Sequence, residues 1–211
     1  LNKTVDQLLE DMKEGKKERV KKFKDLIKTM LFNLQDPDYE KIKPGTSYYN
    51  GHPDYYPNGA LMTYCNVFVY LFAQRLLYVI DSLLGIDGRV NRPSVFYTPI
   101  NLFLKKCEGQ DVSGRIVEEV NFLYAQEFAS RGGLVIALAP EKYNKTGQLL
   151  DAGHMALIYP QDVIENDENN IMIAGAGSRA VWGLKSNYDA FIKYGYHVRY
   201  FHILEIQKKG E

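Results

Sequence analysis

Two residues in this chain have the type and setting for nucleophilic chemistry, Cys65 and His154. Cys65 sits near the start of Thr63–Ile80, a stretch apolar nearly all round that reads as a buried helix with Thr63 as its N-cap. In the first turn of such a helix, unpaired N–H groups and the positive end of the dipole favour thiolate over thiol. A cysteine with no such help titrates near ~8.5, so a nucleophilic one also needs a nearby base. His154 opens a short apolar segment directly after Gly153, where the backbone can approach a partner closely. The plain reading of each residue alone is different: a buried cysteine acts as a small hydrophobe, and a lone histidine is structural. Their order, a helix-borne Cys followed much later by a strand-borne His, is the order of a nucleophile and its base.

Other constellations carry less. The run Ile171-Met-Ile-Ala-Gly-Ala-Gly-Ser-Arg-Ala180 contains G-x-G-x-x-A after an expected strand. A helix-like stretch from Leu184 to Tyr194, a strand and Glu205 follow it, which is nearly one βαβ unit of a dinucleotide site. Only six residues remain beyond Glu205, so no later strand can complete a parallel sheet from that side. His52, His154, His197 and His202 show no ligand spacing with one another, and no metal or other cofactor is expected. Cys107 lies beside Lys105 and Lys106 with no histidine near it in sequence, and reads as incidental. The lysine-dense segment Lys13–Lys22 is either a patch for polyanions or the wet face of an amphipathic helix. Interleaved acids and the lack of aromatics favour the wet face.

The elements that must position Cys65 and His154 follow from periodicity. Apolar residues at helical spacing run through the first 35 positions, in two stripes, Val5–Met12 and Phe23–Leu34. Residues 36 to 62 are rich in Pro, Gly, Asn and Asp and read as a loop. Tyr48, Tyr49, Tyr55 and Tyr56 in this loop either pack onto the domain or wall a cleft. After the apolar helix, Gly85–Thr98 reads as loop, Pro99–Cys107 as a short helix and Ser113–Ser130 as another, stopped by Arg131-Gly-Gly133. Leu134–Ala139, His154–Tyr159, Asn170–Ala174 and Val198–Leu204 then read as strands, with Gln161–Asn170 as a polar hairpin loop. Helices first and sheet second point to an α+β fold.

Thr63-Tyr-Cys-Asn-Val-Phe-Val69 resembles the nucleophile helix of papain-like cysteine hydrolases of the CHAP and NlpC type, which act on bacterial cell walls. Gly153-His-Met-Ala-Leu-Ile158 is similar to their histidine strand, and Ala125–Ile136, Ala174–Ser178 and Arg199–His202 are similar to further segments. The resemblance covers about residues 55 to 204. It implies a papain-like domain over 41–211 with an antiparallel sheet, preceded by a helical extension over 1–40. It implies cleavage of amide or peptide bonds in peptidoglycan stem peptides, with Cys65 as nucleophile and His154 as base. The Cys65 N–H, with a donor such as Tyr55 or Tyr56, would hold the oxyanion. Asn66 and Trp182 would join the tyrosines in binding substrate. If His154–Tyr159 pairs with Asn170–Gly175, the residue opposite His154 is about Gly175, which has no side chain to orient an imidazole. The orienting group is then a backbone carbonyl, Ser178, Asp151 or a water; failing those the triad is incomplete, and either the Cys–His dyad works alone or the protein is an inactive relative that binds wall fragments.

Bulk composition agrees with a folded domain and narrows the partners. Twenty-six basic residues against twenty-six acidic ones leave no global field for nucleic acid or an anionic membrane. No uncharged apolar run reaches the roughly 18 residues of a membrane-spanning helix. Two cysteines are too few for a disulfide framework and read as thiols. The chain begins at Leu1, as it would after a leader was removed by processing or by choice of the expressed segment, which says nothing about export; a cell-wall hydrolase would be periplasmic or secreted.

Overall fold

Leu134–Ala139 is buried at all six positions, as a strand covered on both faces must be. In the computed structural model, which describes residues 5–37, 39–42, 65–76, 117–140, 142–151, 153–176 and 182–203, this segment is β2 of a six-stranded sheet. In chain order the elements are α1 (Val5–Phe32), α2 (Tyr39–Ile42), α3 (Cys65–Arg75), β1 (Val117–Val120), α4 (Phe122–Ser130) and β2. They continue with β3 (Lys142–Tyr143), β4 (Leu149–Asp151), β5 (His154–Ile158), β6 (Met172–Gly175), β7 (Gly183–Ser186), α5 (Asn187–Ala190) and β8 (Arg199–Ile203). The main sheet runs β1-β8-β2-β5-β6-β7 with every neighbouring pair antiparallel, and β3 and β4 form a separate hairpin. The fold is α+β.

Strand alternation sorts the core into two layers. Leu134, Ile136, Leu138, Met155, Leu157, Ala174, Phe201 and Ile203 face α1 and α3. Val135, Ala137, Ala139, Ala156, Ile158, Ile173 and Tyr200 face α4 and Phe191. Alanines dominate where α4 lies on the sheet, and α4 answers with Ala125 and Ala129, both fully buried. Helix α1 is continuous from Val5 to Phe32, and Phe23, Ile27, Met30 and Leu31 enter the same layer as α3. The helix set apart by sequence as an extension therefore shares the core of the sheet domain. Among the described residues no helix is long and apolar enough to cross a membrane.

Three expectations are corrected, the first being that 36–62 is loop throughout, since Tyr39–Ile42 forms the short helix α2. Val117–Val120 is strand rather than the first half of a helix, because Asn121 caps the helix there and accepts from the N–H groups of Leu123 and Tyr124. Gly183–Ser186 is strand rather than helix, paired with β6, and Ser186 caps the single turn of α5. The β3–β4 hairpin was also not foreseen. It turns at Asn144, whose side chain accepts from the N–H of Thr146 and of Gln148, with Gly147 at φ +80°. The helix expected over Pro99–Cys107 lies outside the described residues.

A polar network is buried in the second layer. Asn187, fully buried, donates to the Tyr200 hydroxyl at 2.9 Å and to the Glu168 carbonyl at 3.1 Å. The Tyr200 hydroxyl donates to the Glu168 carboxylate at 2.7 Å. Burial, then the neighbouring Glu168 carboxylate, raise the Tyr200 pKa well above the ordinary phenol value of 10.0. A raised phenol stays neutral in the fold while the unfolded chain ionises, so stability falls as pH rises above about 10. Tyr200→Phe is expected to cost about 1–2 kcal/mol at pH 7 for the lost hydrogen bonds. It should also shallow the decline of the urea midpoint above pH 10. A variant whose midpoint declines as steeply as the wild type contradicts this role.

Candidate active site

Cys65 is the first residue of α3, and no acidic side chain occupies that helix's first turn to offset the dipole. Its side chain is buried and bears a thiol, and it belongs to the layer formed by Phe68, Val69, Met155 and Leu157. Helix α3 packs directly against β5, the strand that His154 begins. The far end of α3 is fastened by Arg75, which donates two hydrogen bonds to Asp36 at 2.8 and 2.9 Å. Asp36 is buried just beyond α1, so the pair ties α1 to the cysteine helix.

His154 is 5% exposed and pairs across the sheet with Ala139. Alternation along β5 points it away from Met155 and into the second layer, where its ring lies 5.1 Å from that of Phe191. The elements that carry Cys65 and His154 are thus in contact, while the two side chains belong to layers on opposite faces of the sheet. Phe191 was not anticipated from sequence as a neighbour of this histidine. Gly153, at φ +69°, turns the chain from β4 into β5 in a conformation that favours glycine.

The register around His154 differs from the expected one by two residues. Leu157 pairs with Ala174 and Ile158 with Ile173, so Gly175 stands opposite position 156 rather than His154. Asp151 ends β4 and pairs with Lys142, three positions before His154. Trp182 is half-buried against the α3 layer, edge-on to Tyr39 with ring centroids 5.9 Å apart. Asn66 is the second residue of α3. Tyr48, Tyr49, Tyr55, Tyr56, Thr63, Ser178, His52 and Cys107 lie outside the described residues.

The dinucleotide reading of 171–205 is overturned by the topology. A βαβ unit needs two parallel strands. Here β6 is followed by antiparallel β7, and β8 lies between β1 and β2, antiparallel to both. His202 stacks on Phe128 with centroids 3.9 Å apart and serves packing. Among the described residues no group of three or more His, Cys, Asp or Glu is placed to hold a metal ion. Comparison with protein-family models, with curated proteins and with solved structures finds no match to this chain.

Proposed function

We propose that the chain is a thiol-dependent hydrolase of amide or peptide bonds, with peptidoglycan stem peptides as substrate, Cys65 as nucleophile and His154 as general base. The observation that carries this reading is the packing of a helix that begins with cysteine on a strand that begins with histidine, within an antiparallel sheet. Trp182, packed on the same layer as α3, is the aromatic residue we assign to substrate contact.

In the reaction, His154 takes the thiol proton and the sulfur attacks the carbonyl carbon. The oxyanion is held by the Cys65 N–H. Collapse breaks the C–N bond as the imidazolium protonates the leaving amine, which leaves a thioester. Water, deprotonated by the imidazole, then attacks the thioester and releases the acid, and the sulfur recovers its proton. This chemistry requires the imidazole to leave Phe191 and turn past the start of β5 toward Cys65. The test is the release of new amino groups from purified peptidoglycan under reducing conditions. Release that persists unchanged in Cys65→Ala, or no release by the wild type, removes the reading.

A second reading is favoured by the contact between His154 and Phe191. With the ring kept in the second layer, the same fold is a non-catalytic module that binds wall fragments. It predicts peptidoglycan binding without amine release.

A further inference from the structure

The lysine-rich part of α1 acquires an opposite wall in the folded chain. Lys17, Lys21, Lys24 and Lys28 fall within an arc of about 60° on one face of the helix. With Lys16 they line a groove of about 640 Å³, closed on the far side by Ser130, Gln161 and Asp162. Asp25 also lines it, whereas Glu14 and Glu18, which interleave with the lysines in sequence, do not. Lys24 is engaged by Asp162 at 3.3 Å. Lys16, Lys17, Lys21 and Lys28 form no ion pair among the described residues. In a chain of zero net charge, the fold has gathered positive charge into one concave strip.

We propose that this groove binds an extended polyanion carrying phosphates at intervals of one helical turn. Successive lysines on the arc rise by about 4.5–6 Å, so the four span about 16 Å. That spacing lies within a Debye length at physiological salt, and the cations act on a bound chain jointly. Val20 is the one apolar side chain of the lining, and no aromatic residue lines it. Tyr159, with its ring centroid 5.7 Å from the Lys24 ammonium, is a single ring beside the groove, not the series of platforms on which successive bases of single-stranded nucleic acid stack. The concave shape and polar walls likewise give a bilayer no apolar surface to receive. The spacing of the lysines and the lack of a run of aromatic rings fit a phosphodiester-linked polyol. The inference stands apart from the Cys65 chemistry and survives its failure.

The experiment is fluorescence anisotropy of the full chain with a labelled glycerol-phosphate oligomer, repeated with oligothymidylate of equal phosphate number and with phosphatidylglycerol vesicles. The oligomer is expected to bind, with log K falling against log salt at a slope of about −2 to −3, as for three or four phosphate contacts. The triple variant Lys17→Gln/Lys21→Gln/Lys28→Gln should weaken it about tenfold or more with an unchanged melting temperature, because all three side chains are exposed. No binding, or equal binding by the variant, overturns the proposal. Tighter binding of oligothymidylate or of vesicles, lost in the same variant, also overturns it and reassigns the groove to nucleic acid or membrane.

Discussion

Cys65→Ala is expected to lower amine release from peptidoglycan by about 10³-fold or more, because no other group in the proposed mechanism forms the thioester. His154→Ala should cost a similar factor, and the double variant scarcely more than either single one. Nucleophile and base act as a unit, so removing the second partner of a broken pair takes little further. The measurement is initial rate against enzyme concentration for the four proteins, with thermal melts alongside. Cys65 contributes little more than one buried sulfur to its layer, so the alanine variant should lose only about 1 kcal/mol and remain folded. Multiplicative losses in the double variant would show that the two residues act separately.

Arg75→Ala is expected to be the most damaging single truncation at the junction of α1 and α3. It leaves the Asp36 carboxylate, whose side chain is 4% exposed, without its two-pronged partner. Breaking a buried pair from one side costs about 3–5 kcal/mol. Arg75 is itself 24% exposed, which places the expectation at the lower end, about 3 kcal/mol. For a chain of this size that lowers the melting temperature by about 6–12 °C. Adding Asp36→Asn should recover part of the loss by removing the stranded charge. A single-variant loss under about 0.5 kcal/mol would mean the pair behaves as a surface ion pair. The pair bears on the proposed function because α3 carries Cys65 at one end and is held at the other by Asp36.

How much of this was legible beforehand follows from which forces are local. The strands β2 and β5 stand out because buried central strands need continuous apolar runs, and Leu134–Ala139 and, after His154, Met155–Ile158 supply them. β1 was read as helix because Val-Glu-Glu-Val has no strong preference, and its strand identity comes from pairing with β8. β7 is similar: Gly-Leu-Lys-Ser becomes a strand only beside β6. Asn121 was the readable signal, since an Asn just before an apolar helical run is a cap.

For the site, the order and local setting of Cys65 and His154 were visible, but the face each side chain joins was not. That choice is made where α3 settles on Met155 and Leu157, and a shift of one residue in β5 would reverse it. The register of β5 on β6 differs by two residues from the one the sequence suggests, because the polar 159–171 connection lengthens the hairpin. Gln126 anchors that connection by accepting from the Glu165 N–H at 2.7 Å and donating to the Glu165 carbonyl at 2.9 Å. The lysine groove was hidden for a related reason. Its acids and lysines alternate along the chain and separate only in three dimensions.

The rate of Cys65 alkylation by iodoacetamide as a function of pH, in wild type and in His154→Gln, probes the claimed partnership without any substrate. If the imidazole takes the thiol proton, the wild type reacts readily at pH 6 to 7 and the variant slows by about tenfold or more in that range, converging only in alkali. Superimposable profiles for the two proteins would leave His154 a packing residue against Phe191 and Cys65 an ordinary buried thiol.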